Sequence, residues 1–243
     1  MTILQLSTTT AHCRLWQVDL DATPAPQAVA SLSEAEWERA RRFVFKRDRN
    51  RFIAAHAALR EILSSQCGIP ASMLEFALGP FGKPMLVDGG GLHFNMSHSQ
   101  SLALIAVGDD AELGVDVELL RPMPDAEALA NNYFSADERS ALAALPAEER
   151  ERAFFCCWTR KEACLKATGM GLSVDTRSFE VGVTPETCEV RIGAGDDLVH
   201  LALSSFHDVQ GALCAVARLV AREAAAAPQL QPQRPLVEQE ICV

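Results

Sequence analysis

The feature that most constrains this chain is that its pattern runs twice. Up to Val107 an amphipathic helical stretch is followed by short apolar runs divided by turn residues. After Gly108-Asp109-Asp110 a strand, helices and further strands follow. Helical and alternating periods in turn, with a break of this kind, read as an α+β protein built from two similar halves. The expected division is 1–111, 112–222 and a tail at 223–243, whose Ala, Gln and Pro content predicts mobility.

In the first half Ser33 and Glu36 have the spacing of a capping box. Trp37, Ala40, Val44, Phe52, Ala55, Leu59 and Ile62 then recur at helical intervals. One long helix over about 34–64 is expected, with strands over 73–78, 92–96 and 102–107, separated by GPFGKP and DGGG. The run Gly89-Gly90-Gly91 is read as a hairpin turn, because no GxxxxGK[ST] accompanies it. In the second half a strand covers 113–119. Ser135 with Glu138 caps a second helix, Pro146 opens another to about Ala167, and strands are expected near 179–183, 188–192, 199–204 and 212–220.

The 243 residues are 49% apolar, enough for a full core. A net charge of −10 argues against general nucleic-acid binding, which depends on many cationic contacts to phosphate. The start has no basic segment ahead of an apolar run, and no stretch approaches the roughly 18 apolar residues of a membrane span, so the expected location is the cytosol. The eight cysteines form no CxxC pair and sit mainly in apolar segments, as reduced core thiols would. One segment opposes the acidic balance: Arg39, Arg41, Arg42, Lys46, Arg47, Arg49 and Arg51 accompany only Asp48. Such a strip is either a solvated helix face or an attractor for a small polyanion or an acidic partner.

Three groups carry chemistry. In Gly114-Val115-Asp116-Val117-Glu118 alternation puts both carboxylates on one strand face and both valines in the core. Paired carboxylates repel unless a cation lies between them, and Mg²⁺ takes one or two carboxylates together with water and phosphate oxygens. In Trp158-Thr159-Arg160-Lys161-Glu162-Ala163-Cys164-Leu165-Lys166 an aromatic, an acid and a base share one helical stripe at Trp158, Glu162 and Lys166. The run Phe94-Asn95-Met96-Ser97-His98-Ser99 reads as a strand entering a polar turn where hydroxyls and an imidazole converge on phosphate. Lys83, on the rigid turn Gly82-Lys83-Pro84, adds a point charge. Each group alone also reads as an ordinary surface feature. The other histidines (His12, His56, His93, His200 and His207) are read as structural or surface residues.

FGKP, FNMSHS, GVDVE and WTRKEACLKATGMGLS, in that order between Phe81 and Ser173, resemble the two-domain Sfp-type 4′-phosphopantetheinyl transferases, as does the cationic RRFVFKRDRNR ahead of them. The resemblance implies two α+β halves related by a pseudo-two-fold, with coenzyme A in the cleft between them. It implies Asp116, Glu118 and Glu162 as ligands of Mg²⁺, with Mn²⁺ as a substitute, and Glu162, or a water it holds, also as a base. Lys166 is then a catalytic group near the phosphates; Arg51, Lys83, Ser97 and His98, together with Asp116, Glu162 and Lys166, bind the coenzyme. It further implies a cytoplasmic monomer that modifies acyl or peptidyl carrier proteins in fatty-acid, polyketide or nonribosomal-peptide synthesis, without nucleic acid or membrane partners. A metal-dependent hydrolase of coenzyme A or nucleotides, and a non-catalytic carrier-binding module, are the competing readings.

Overall fold

The computed structural model describes residues 1–7, 13–206, 209 and 211–222. His12, His207, Cys242 and the 223–243 tail, with its expected mobility, lie outside the described residues. In chain order the elements are β1 (Ile3–Gln5), β2 (Cys13–Asp19), α1 (Pro26–Ala30), α2 (Glu34–Arg42), α3 (Lys46–Cys67), β3 (Phe76–Leu78), β4 (Pro84–Leu86), β5 (His93–Ser99), β6 (Leu102–Gly108), β7 (Leu113–Leu119), α4 (Ala126–Tyr133), α5 (Ala136–Ala144), α6 (Ala147–Thr168), β8 (Cys188–Ile192), β9 (Val199–Phe206) and β10 (Ala212–Arg222). This is an α+β fold.

Two four-stranded antiparallel sheets, β1-β2-β6-β5 and β7-β10-β9-β8, carry the molecule, and β3-β4 is a separate hairpin. Alternation along β6 explains how they stack. Ala103, Ile105 and Val107 face α3, where they meet Ala54, Ala58, Leu59 and Ile62. Leu102, Leu104 and Ala106 point the other way and meet Val115, Val117, Cys214 and Val216 of the second sheet. Because β6 is covered on both faces, it reads as the unbroken apolar run LALIAVG. On the far side of the second sheet α6 buries Phe154, Phe155 and Cys164 against Leu201, Leu203 and Ala215. The layers therefore run helix, sheet, sheet, helix. Both covering helices have 22 residues and end at a left-handed glycine, Gly68 (φ 75°) and Gly169 (φ 70°).

Both capping boxes form, with the Ser33 and Ser135 side chains accepting from the N–H of Glu36 and Glu138. The expected single helix over 34–64 is instead two, because Phe43 and Phe45 are extended. Phe43 then packs at a tilt against Phe52, ring centroids 5.4 Å apart, and Phe52 against His56 at 4.0 Å. The fold-back also lets Glu36 accept from Arg60 Nε at 2.8 Å and lie 3.0 Å from His56 Nδ1. No glycine or proline marks this break. The strand expected over 73–78 starts at Phe76, since Ala71–Met73 forms a 3-10 turn after Pro70.

The strand expected near 179–183 does not form. Side chains satisfy its backbone instead: Arg160 Nε donates to Val181 O at 2.6 Å, Lys161 Nζ to Phe179 O at 2.7 Å, and the Val181 N–H to Glu138 Oε1 at 2.8 Å. Strand β5 continues through Ser99, so the expected polar turn at Ser97 and His98 is strand. Elements β1, β2 and α1 were not anticipated. The seven described cysteines are free thiols.

Candidate functional site

The site begins with a glycine. A Cβ on Gly114 would lie 2.2 Å from Ala163 O and 2.3 Å from Ala167 N, so β7 meets the α6 backbone where only hydrogen fits. Two residues on, the same strand face presents Asp116 to α6, and Glu118 follows. Val115 and Val117 enter the inter-sheet core, as alternation requires.

Asp116 is 5% exposed. Its Oδ1 accepts from Lys166 Nζ at 2.6 Å and from Ser97 Oγ at 2.7 Å, and Lys166 also donates to Ser97 Oγ at 2.9 Å. Asp116 Oδ2 is buried with no hydrogen-bond partner. Glu118 Oε2 accepts from Ser99 Oγ at 2.7 Å and from Arg121 at 2.9 Å. Glu162, one turn before Lys166 on α6, is half-buried. Desolvation first, then the neighbouring charges of Asp116 and Glu118, raise its carboxyl to about 7 against the partial relief of Lys166. Three carboxylates thus sense one another, although among the described residues no three acidic, histidine or cysteine groups gather as a ready metal cluster. Lys166 takes the cationic place beside Asp116, and Arg121 engages Glu118. The partnerless oxygen of Asp116 and the raised carboxyl of Glu162 fit a further hard cation.

Of the phosphate-turn residues, Ser97 is buried against Asp116 and Lys166, whereas His98 falls on the opposite face of β5 and keeps an exposed edge. Partial desolvation, then the positive charges of Lys166, His56 and Arg39, lower the His98 pKa against the pull of Asp116. Arg39 from the strip therefore lies near this face, while His56, expected to be a structural or surface residue, is bonded to Glu36 at 3.0 Å. Lys83 is turned into the seam between the sheets. It pairs with Glu112 and donates to Leu113 O at 2.9 Å, with Ala167 O at 3.4 Å. Arg51 is held bidentately by Asp21 at 2.6 and 2.8 Å. Trp158, the third residue of the expected stripe, packs edge-on against Tyr133 at 5.5 Å and leaves Glu162 and Lys166 to the site. Within the same motif Arg160 and Lys161 are buried staples for the 174–183 segment. Sequence reasoning passed over Gly114, Asn95, Ser99 and Glu112. A glycine inside a strand was the available signal for the first, and alternation along FNMSHS for the next two.

Residues 112–217 match the family model of the 4′-phosphopantetheinyl transferase superfamily, and residues 21–109 that of the 4′-phosphopantetheinyl transferase N-terminal region. The 4′-phosphopantetheinyl transferase HetI of Nostoc sp. is 42% identical over 176 residues, 70% of this chain and 74% of that protein. The chain belongs to the Sfp-type 4′-phosphopantetheinyl transferase family. Sfp of Bacillus subtilis is 33% identical over 150 residues, 62% of this chain and 66% of that protein. AcpT of Salmonella typhimurium is 39% identical over 95 residues, 39% and 50% of the two chains. A transferase of this family takes 4′-phosphopantetheine from coenzyme A and delivers it to a carrier protein. The boundary between the two matched regions falls at 109–112, beside the Gly108-Asp109-Asp110 break. In this transferase no helix among the described residues is long and apolar enough to cross a membrane.

Proposed function

We propose that transfer occurs where β7, α6 and the end of β5 meet, on a carrier serine, with Mg²⁺ as the metal and Mn²⁺ as its substitute. Asp116, through the oxygen that lacks a partner, would hold the cation with Glu118 and Glu162. When bound, that ion neutralises pyrophosphate charge and stabilises the departing oxygen. The coenzyme's phosphates meet His98 and Lys166, with Arg39 adding positive charge. Arg51 and Lys83 flank this face, but Asp21 and Glu112 already neutralise them, so their share is smaller. Ser97 acts through Asp116 and Lys166.

Glu162 is the base. Without metal its carboxyl is raised to about 7; a cation beside it would keep it ionised and able to accept a proton, directly or through a water it holds. It takes the proton of the carrier serine as the serine oxygen attacks the β-phosphorus of coenzyme A. The new O–P bond replaces the bond to adenosine 3′,5′-bisphosphate, which leaves with the electron pair. Lys166 offsets the charge that builds on the phosphoryl oxygens. The reading extends to two domains, 1–111 and 112–222, related by a pseudo-two-fold, in a cytoplasmic monomer.

The observation that carries this is the buried, partnerless Oδ2 of Asp116, whose other oxygen is held by Lys166 and Ser97. Incubating apo carrier with coenzyme A, Mg²⁺ and the enzyme should raise the carrier mass by one phosphopantetheine. Chelation should stop it. Release of adenosine 3′,5′-bisphosphate without carrier would mark a hydrolase instead, and carrier binding with no mass gain a binding module.

A further inference from the structure

Strands β5 and β7 lie side by side at the free edges of their two sheets, and no backbone ladder joins them. An unpaired strand edge buried in protein leaves N–H groups that need partners. Here side chains from one face of β5 supply partners for two of them. The Val115 N–H donates to Asn95 Oδ1 at 2.8 Å, and the Leu119 N–H to Ser99 Oγ at 3.2 Å. These two rungs bracket the segment that carries Asp116 and Glu118. Between them Ser97 donates to Asp116 Oδ1 and Ser99 to Glu118 Oε2, each at 2.7 Å. Asn95, Ser97 and Ser99 are all buried, at 7%, 7% and 6% exposure.

The rungs grip the two carboxylates alike. On Asp116 the hydroxyl and Lys166 share Oδ1, leaving Oδ2 buried without a partner. On Glu118 the hydroxyl and Arg121 share Oε2, and neither uses Oε1. Each acid is therefore fixed by one oxygen with the other left over. Both fixed oxygens accept from serines two residues apart on β5, which matches the two-residue spacing of the acids on β7.

We infer that Asn95, Ser97 and Ser99 form a positioning ladder that orients Asp116 and Glu118 for a divalent cation, with Ser99 the rung on which Glu118 depends. This rests on the metal-dependent reading above. Ser99 touches neither coenzyme nor carrier in it and acts through Glu118. Outer partners of metal-binding carboxylates, when removed, weaken metal affinity by about 10- to 100-fold.

The test is Mn²⁺ binding to the full-length enzyme, read by electron paramagnetic resonance without coenzyme or carrier. Ser99→Ala should weaken Mn²⁺ binding by about tenfold or more, while coenzyme A affinity measured in chelator stays at the wild-type value. Ser99→Thr, which keeps the hydroxyl, should restore Mn²⁺ binding. In a Glu118→Gln background, Ser99→Ala should add little, because the rung then has no carboxylate to orient. If Ser99→Ala does not fold, Ser99→Cys, close in shape but a weak donor, takes its place with the same expected loss. Wild-type Mn²⁺ affinity in the folded Ser99 variant would overturn the ladder, and so would an equal loss in the Glu118→Gln background. Failure of the wild type to bind Mn²⁺ would overturn it as well. A wild type that binds Mn²⁺ and yet never loads a carrier would sink the transferase mechanism and leave the ladder standing.

Discussion

The environment that suits Glu162 to its chemistry also makes it a burden on the fold. Its carboxyl is raised from the ordinary 4.5 to about 7, by desolvation first and by Asp116 and Glu118 next. The folded state therefore holds this proton more tightly than the unfolded state does. That contribution is complete below about pH 4.5 and is lost as pH rises through about 7. Glutamine does not titrate. In chelator, Glu162→Gln should melt alongside the wild type near pH 4 and increasingly above it toward pH 8, as thermal scans at several pH values would show. A gap that does not change with pH would mean that the carboxyl is not raised. Turnover should move the other way, falling by about 10²–10⁴ in single-turnover carrier loading if Glu162 accepts the serine proton. A gain in stability with a loss of rate is the signature of a group held for chemistry.

Between elements, the close approach of β7 to α6 decides whether Asp116 can meet Lys166 and Glu162 at all. Gly114 has ordinary strand backbone, and its constraint is space alone: an added Cβ would meet Ala163 O at 2.2 Å. A helix backbone held by its own hydrogen bonds cannot yield as a side-chain tip can. Gly114→Ala should therefore push strand and helix apart and cost about 1–3 kcal/mol, read as a lower denaturant midpoint. Transfer should fall further than stability, because the Lys166–Asp116 contact at 2.6 Å spans the widened gap. A variant with wild-type turnover would remove the close approach from the account of the site. The neighbouring positions Arg160 and Lys161 serve a different element. They hold the backbone at 176–181, where Lys161 also pairs with Glu138 at 2.8 Å. One short motif on α6 thus divides into two buried staples and two site groups.

For the whole molecule the question is what keeps the two sheets in one relation. Besides the shared apolar layer there is a polar latch centred on Glu112, where Lys83, on the loop between β3 and β4, ties that hairpin to Glu112, Leu113 O and Ala167 O. Glu112 also lies 3.4 Å from His93 Nδ1. Burial alone would raise the Glu112 carboxyl, but the His93 hydrogen bond and the Lys83 charge outweigh it and hold the carboxyl at about 2. A lowered carboxyl contributes stability above its ordinary 4.5 and loses it as pH falls toward 2. Glu112→Gln should cost roughly 1–3 kcal/mol at neutral pH, since it leaves the Lys83 ammonium half-satisfied. That difference should shrink between pH 4.5 and 2. Lys83→Met should likewise lower the melting temperature while changing coenzyme A affinity little. A large loss of affinity with an unchanged melting temperature would return Lys83 to the phosphates.

Much of this was written in the linear order of residues. Strict alternation in Gly114–Glu118 placed two acids on one face and two valines in the core. The helical stripe of α6 carried Glu162 and Lys166 together, the capping boxes set the starts of α2 and α5, and four motifs in register identified the family. These are local or periodic properties, and period and spacing survive in a string of letters. What the string did not carry were relations across distance. Nothing near Phe43 announced that α2 would fold back, because the aromatic contact with Phe52 and the ion pair of Glu36 with Arg60 are made only after folding. The 179–183 segment lost its strand to side chains from α5 and α6. Lys83 and Arg51 looked like free cations until Glu112, 29 residues away, and Asp21, 30 away, were brought against them. Ser97 looked like a phosphate ligand until β7 took its hydroxyl. A charge or hydroxyl in a sequence states what a group can bond to, and only tertiary structure decides which partner reaches it first.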